Sequence, residues 1–337
     1  MLVQFPVDVA PQQKCIREPT AMAKQLGHCT SLTLLTRDVT RATSFYESVL
    51  GVGVWEVSPS SGRILAAGRV AVGRIAPAAE AARPGWVPTF AVAAGAVAGA
   101  VRVAIASGGA RARGAALQGA APASADAVLQ DAQGARFCVA AVRDAGARWD
   151  THPPTAAAGG ALDWATRPVQ GSVAWLDQLA DSGAELQAAD FYRGVLGWRG
   201  LQLPPFPGGA YHVMFSGRGT TNADKTCGIL TRGLLLGPRV TSAMWLPFFE
   251  AGSDAGVASA ASAASAVGAE VVAPPTPTKD GAFTILRDVV RAVRAAAAHS
   301  RAVLHVVRRA QAEDTYFAVY NRTDSWGETR TYDVEAR

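Results

Sequence analysis

Residues Ser31 to Thr36 alternate between polar and apolar, with Leu32, Leu34 and Leu35 marking a strand. Asp38 then stands in the position of a helix cap, ahead of an apolar face of Val39, Ala42, Phe45, Tyr46 and Leu50 that Gly51 ends. Short β-like runs follow at Gly53 to Val57, Arg63 to Ala67 and Ala71 to Ile75. The pattern restarts at Val87 to Val92 and passes through an alanine and valine helix over Val97 to Ala106, stopped by Gly108-Gly109. It closes with strands around Ala127 to Leu129 and Ala135 to Ala140. Strand, helix and three strands, followed by a restart of strand, helix and two strands, read as two βαβββ units.

The same plan recurs farther on. The segments TSFYESVLGVGVWE (Thr43 to Glu56) and AADFYRGVLGWRGL (Ala188 to Leu201) share FY-x-x-VLG, with Phe45 and Phe191 146 residues apart. AVLQDAQGARFCVA (Ala127 to Ala140) is echoed by FTILRDVVRAV (Phe283 to Val293), each an apolar run ending on an aspartate, with Asp131 and Asp288 157 residues apart. Strands are predicted at Val173 to Leu179, Tyr211 to Phe215, Thr226 to Leu230, Met244 to Phe249 and Phe283 to Leu286, with helices over Leu186 to Leu196 and Ala255 to Val267. Residues 143–168, with Pro153-Pro154 and Gly159-Gly160, read as a linker between domains at 26–142 and 169–290; 1–25 form a tail and 291–337 an extension. The extension contains a strand-like core at Tyr316 to Tyr320. It serves either as a separate element or as the closing strand of the second domain, with a helix inserted before it.

Composition adjusts this picture little. A chain of 337 residues suits two domains, and with 49% hydrophobic but only 7% aromatic residues its cores rest largely on alanine and valine. The net charge of +5 is accounted for between Arg287 and Arg309, where six arginines face one acid, Asp288. The rest is neutral, which argues against a nucleic-acid-binding face. That basic amphipathic segment would suit a contact with a second copy or a protein partner. Cys15, Cys29, Cys138 and Cys227 have neither disulfide-framework nor zinc-knuckle spacing, consistent with a reducing compartment. No stretch has the length of a membrane span, and a cytoplasmic location is expected, with a short organellar presequence within 1–25 left open.

The run RDVTRATSFYESVLG resembles the first helix of the vicinal-oxygen-chelate superfamily, which includes glyoxalases, bleomycin-resistance proteins and extradiol dioxygenases, and QDAQGARFCV resembles its closing strand. In the second copy, the segment from Met244 to Asp288 resembles the second half of such domains in two-domain actinobacterial hydroxylase-like proteins. The resemblance implies an α+β fold of two tandem domains, each of paired βαβββ units forming a cupped mixed sheet. It also implies a divalent metal held by inward-facing residues of the first and last strands of each unit, acting as a Lewis acid on adjacent substrate oxygens.

Those positions lack the usual ligands. In the first domain they fall on Ser31, on strands Gly68 to Pro77 and Trp86 to Val92 without His, Asp or Glu, and on Cys138. In the second they offer Trp175 or Asp177, then Cys227, then Met244 or Trp245, and the segment after Asp288 departs from the family pattern. No metal site is therefore expected, and no cofactor. The expected activity is binding of a small hydrophobic or aromatic molecule, with Ser31, Trp86, Cys138, Trp175 and Trp245 as pocket candidates; Trp55 and Trp198 also fall beside strand positions. Under an enzymatic alternative, a lyase, isomerase or dioxygenase with an atypical site, Asp177 and His212 are the catalytic candidates, with Fe, Mn, Ni or Zn as the metal. A third reading is a structural subunit of a larger assembly.

Overall fold

The computed structural model describes residues 26–58, 62–67, 70–78, 83–112, 126–142, 170–203, 210–216, 225–236, 242–278, 281–288 and 315–322. The tail 1–25, the linker 143–168, the basic segment 291–314 and the last residues, 323–337, lie outside them.

The first domain runs β1 (Cys29–Thr36), α1 (Val39–Leu50), β2 (Gly53–Ser58), β3 (Gly62–Ala67) and β4 (Val70–Pro77). It continues with β5 (Gly85–Val92), α2 (Val97–Ala106), β6 (Ala110–Arg111), β7 (Ala127–Gln130) and β8 (Arg136–Ala141). Asp38 caps α1 by accepting from the Arg41 N–H at 2.9 Å, and Gly51 closes it at φ 65°, a left-handed conformation that favours glycine. These eight strands form one sheet in the order β2-β3-β4-β1-β5-β8-β7-β6. β1 and β5 pair antiparallel at its centre, and each is flanked by the parallel last strand of its own unit, β4 or β8.

The second domain comprises β9 (Val173–Ala180), α3 (Glu185–Leu196), β10 (Arg199–Gln202), β11 (Tyr211–Phe215), β12 (Lys225–Thr231) and the short α4 (Arg232–Leu236). Then come β13 (Met244–Glu250), α5 (Asp254–Ala266), β14 (Glu270–Thr278), β15 (Gly281–Asp288) and β16 (Thr315–Arg322). Its sheet order is β10-β11-β12-β9-β13-β16-β15-β14, the first order with eight added to every strand number. The α+β architecture of two tandem cupped sheets follows.

β16 occupies the place of β8, parallel to β13 and antiparallel to β15, so the second sheet extends past residue 290 to Arg322. Sequence patterning passes over β14 because Pro274, Pro275 and Pro277 mask it. Prolines are tolerated there because β14 is the edge strand and its pairing is interrupted by bulges. β6 and β10 are too short to announce themselves.

One apolar core serves both domains. Leu32 and Leu34 of β1, Trp86 and Phe90 of β5, Phe137 of β8, Tyr192 of α3, and Trp245 and Phe249 of β13 all belong to it. α1 packs on α5, and α2 on α3. Rings cross the junction: Phe90 meets Trp198 edge-on at 5.0 Å, and Trp86 meets Phe249 at 5.5 Å. Pairs of this kind add about 0.5–1.5 kcal/mol each beyond the area they bury. The opposite face of each sheet, away from the helices, carries a separate, smaller apolar cluster and forms the inside of its cup.

Candidate functional site

On the concave face of the second sheet, β9 presents Trp175, Asp177 and Leu179. Asp177 lies level with Gly228 of β12 on one side and Leu246 of β13 on the other. Around it stand Leu179, Leu230, Leu246, Phe248, Ile285 and Ala318. The Asp177 Oδ1 accepts from Trp175 Nε1 at 2.7 Å and from the Tyr211 hydroxyl at 3.1 Å. Burial pushes this carboxyl up to about 7, against the hydrogen bonds from Trp175, Tyr211 and the Gly228 backbone, which pull it down. Burial also holds the Tyr211 phenol well above its ordinary value, with the Asp177 charge adding to it.

Gly228 is glycine for a reason of space: a Cβ there would land on Asp177 Oδ1 and the Tyr211 hydroxyl. α4 touches both β12 and β14, which four other strands separate in the sheet, and it places Leu236 in the apolar cluster. It thus spans the mouth of the second cup.

The concave face of the first sheet is built from small side chains. Ser31 pairs in register with Thr89, and Thr89 with Cys138, so three small polar groups line up across β1, β5 and β8; Thr33 lies two residues on from Ser31. Leu35, Ala76, Val87 and Cys138 form the apolar cluster on this face. The hydroxyls of Ser31 and Thr33 are buried without a hydrogen-bond partner, and the Thr89 side chain hydrogen-bonds the Cys138 thiol. Burial pushes the Cys138 thiol up to about 12, so it is neutral.

Neither cup offers a fitting set of metal ligands on its central strands. In the second cup Asp177 is a lone carboxylate already engaged by Trp175 and Tyr211, and its neighbours across the sheet are Gly228 and Leu246. Among the described residues no group of three or more His, Cys, Asp or Glu side chains gathers where one ion could be held.

The candidates named from sequence fall in different places. Ser31 and Cys138 face the first cup, and Trp175 and Asp177 the second. Trp86 and Trp245 do not line a cup: both lie in the core between the sheets, where Trp86 packs on Tyr46 at 5.4 Å and Trp245 on Tyr192 at 5.4 Å. Cys227 likewise faces that core, and Met244, not Trp245, borders the second cup. Trp198 is buried and donates to the Gly27 carbonyl at 2.7 Å; the Trp55 side chain lies outside the described residues.

His212 turns away from Asp177, to the opposite face of β11. It is buried against α3, where burial lowers its pKa and the charges of Glu185 and Asp190 oppose the shift. The two catalytic candidates therefore do not meet. Tyr211 takes the cup position instead, because the register Tyr211↔Leu230 and His212↔Ile229 fixes which of two adjacent residues faces inward. The alternation of a five-residue strand carries no such information alone.

No protein-family model matches the chain, and no curated protein matches it in sequence. Solved structures do match it in fold. BphC, a halotolerant catechol dioxygenase, superposes with a TM-score of 0.52 at 15% identity, over 92% of this chain and 92% of that one. A catechol 2,3-dioxygenase gives 0.52 at 13% identity over 93% and 94%. The 2,2',3-trihydroxybiphenyl 1,2-dioxygenase of Sphingomonas wittichii strain RW1 gives 0.51 at 15% identity over 89% and 94%.

Proposed function

Starting from a chain that has the fold of the vicinal-oxygen-chelate superfamily, we propose that its second cup binds a small aromatic molecule bearing a hydroxyl or N–H group, without a metal. One observation carries the reading: a single buried carboxyl, Asp177, set in an otherwise apolar concave face and oriented by two donors. Such a face supplies area for a ring, and the lone acceptor supplies its orientation. Among the described residues no second carboxylate or imidazole stands beside Asp177, so the chelation of two adjacent oxygens on an ion finds no support. Leu236 sits in the cluster on α4, so a ligand enters by displacing that short helix.

A second reading uses the same site. A carboxyl raised to about 7 is matched to proton transfer near neutral pH, so Asp177 would serve as general base toward a bound phenol or carbon acid.

Fluorescence titration of Trp175 with a phenol and with its methyl ether tests the binding reading. Binding of the phenol, weakened about tenfold or more in the ether and in Asp177→Leu, is expected. Equal binding of phenol and ether, or stoichiometric Fe, Mn, Ni or Zn in the purified protein, would overturn it.

A further inference from the structure

The short helix α4 is held at its first residue. β12 and β9 run parallel and pair as far as Thr231 and Ala180, so Arg232 and Asp181 are the next residues along the two strands. There Arg232 Nη1 lies 2.5 Å from Asp181 Oδ1. The ion pair fixes the root of a helix that reaches from β12 to β14 and delivers Leu236 to the apolar cluster of the second cup.

Asp181 is itself positioned from the other domain. Gln133, in the turn between β7 and β8, accepts from the Asp181 N–H through Oε1 at 2.7 Å and donates through Nε2 to the Ala184 carbonyl at 3.0 Å. One side-chain amide therefore grips both ends of the turn 181–184, which the Ala184 N–H closes on the Asp181 carbonyl at 3.0 Å. The Gln133 N–H is in turn fixed on Asp131 Oδ1 at 2.9 Å. A part-exposed ion pair ordinarily contributes little, because ordering its two side chains offsets the attraction. Here the backbone that carries the carboxylate is already ordered by Gln133, which leaves more of the attraction to hold α4.

We propose that Arg232 and Asp181 form a latch on the second cup, and that the first domain sets its strength through Gln133. Displacing α4 breaks the ion pair, so the first domain governs entry to a cup whose apolar cluster is drawn wholly from the second. The inference rests on the entry route given for that cup, but the latch itself is measurable without a ligand.

The test is hydrogen–deuterium exchange of the full chain, read at the amides of residues 232–236 at low and at high sodium chloride. Arg232 and Gln133 lie outside the apolar clusters, so their substitution leaves the packing intact. Arg232→Met is expected to raise exchange about two- to fivefold at low salt. High salt should do the same to the unaltered chain and add nothing in the variant. Gln133→Ala should give a similar rise alone and none in the Arg232→Met background. Unchanged exchange in Arg232→Met, or an equal response to salt with and without the arginine, would sink the latch. A Gln133→Ala effect undiminished by Arg232→Met would remove the first domain from it. Stopped-flow mixing with phenol then joins latch to cup, with association faster by the same factor in Arg232→Met; an unchanged rate would mean that α4 is not the entrance. If exchange responds as expected while phenol binds no form of the chain, the cup reading fails and the latch stands.

Discussion

Asp131 of the first domain and Tyr192 of the second meet across the junction, the Tyr192 hydroxyl donating to Asp131 Oδ2 at 3.0 Å. Gln178 of β9 donates to the same oxygen at 3.3 Å, and the Ala135 and Gln133 N–H groups hold Oδ1 at 2.8 and 2.9 Å. The repeat supplies a counterpart. Asp288 raises the pKa of Tyr46, after burial, and lies 3.7 Å from Arg41, so the aspartate of each domain faces the first helix of the other. Replacing Tyr192 by Phe removes one bond to a buried carboxylate and is expected to cost about 1–2 kcal/mol. Asp131→Ala strips several donors at once and should cost more, about 3 kcal/mol. Urea unfolding measures both, and a Tyr192→Phe chain as stable as the original would remove this contact from the junction.

Asp177 predicts a pH dependence. Its pKa rises from an ordinary 3.8 to about 7 in the folded chain, so the folded state holds this proton more tightly than the unfolded one. The associated stability is complete below about pH 4 and is lost as the pH climbs through 7. Asp177→Asn has no proton to lose. Relative to the original, it should therefore gain stability between pH 4 and pH 8, by up to roughly 4–5 kcal/mol at about 1.4 kcal/mol per pKa unit. Paired denaturant curves across that range check the sign; a difference independent of pH contradicts it.

The first cup predicts a gain from losing a hydroxyl. The Thr33 Oγ1 is buried without a partner and forfeits hydration for nothing. Thr33→Val preserves shape and should stabilise by about 1 kcal/mol. A fall in melting temperature would mean that this hydroxyl is satisfied in solution.

Gly228→Ala puts a methyl group where Asp177 and Tyr211 already are. The expected cost is about 1–3 kcal/mol, as for other overpacked sites. The Trp175 environment should change with it, since the indole N–H shares both partners. Unaltered Trp175 emission would show that the cluster is looser than its distances imply.

Much of the fold is legible in the chain because it rests on local signals. The Asp38 cap, the Gly51 stop and the FY-x-x-VLG face of α1 are all short-range, and the repeat of that face announces the second domain. The aspartates that end the echoed runs are visible too, but their partners are not, since Asp131 finds Tyr192 only when the domains dock. The site is half legible. Asp177 stands out as an acid in an apolar strand, whereas Tyr211 and His212 differ by one residue and only strand register sorts them. Trp86 and Trp245 look like pocket residues for the same reason: alternation shows two faces without saying which one is concave.

β16 is the last of the described strands to be made and an inner strand of its sheet. Until residue 322 leaves the ribosome, β13 has no neighbour on one flank, and the β14–β15 hairpin has nothing to join. The second domain is thus a sheet with its keystone delivered last: for the time needed to synthesise residues 289–314, two open strand edges face the cell with complementary hydrogen-bonding groups.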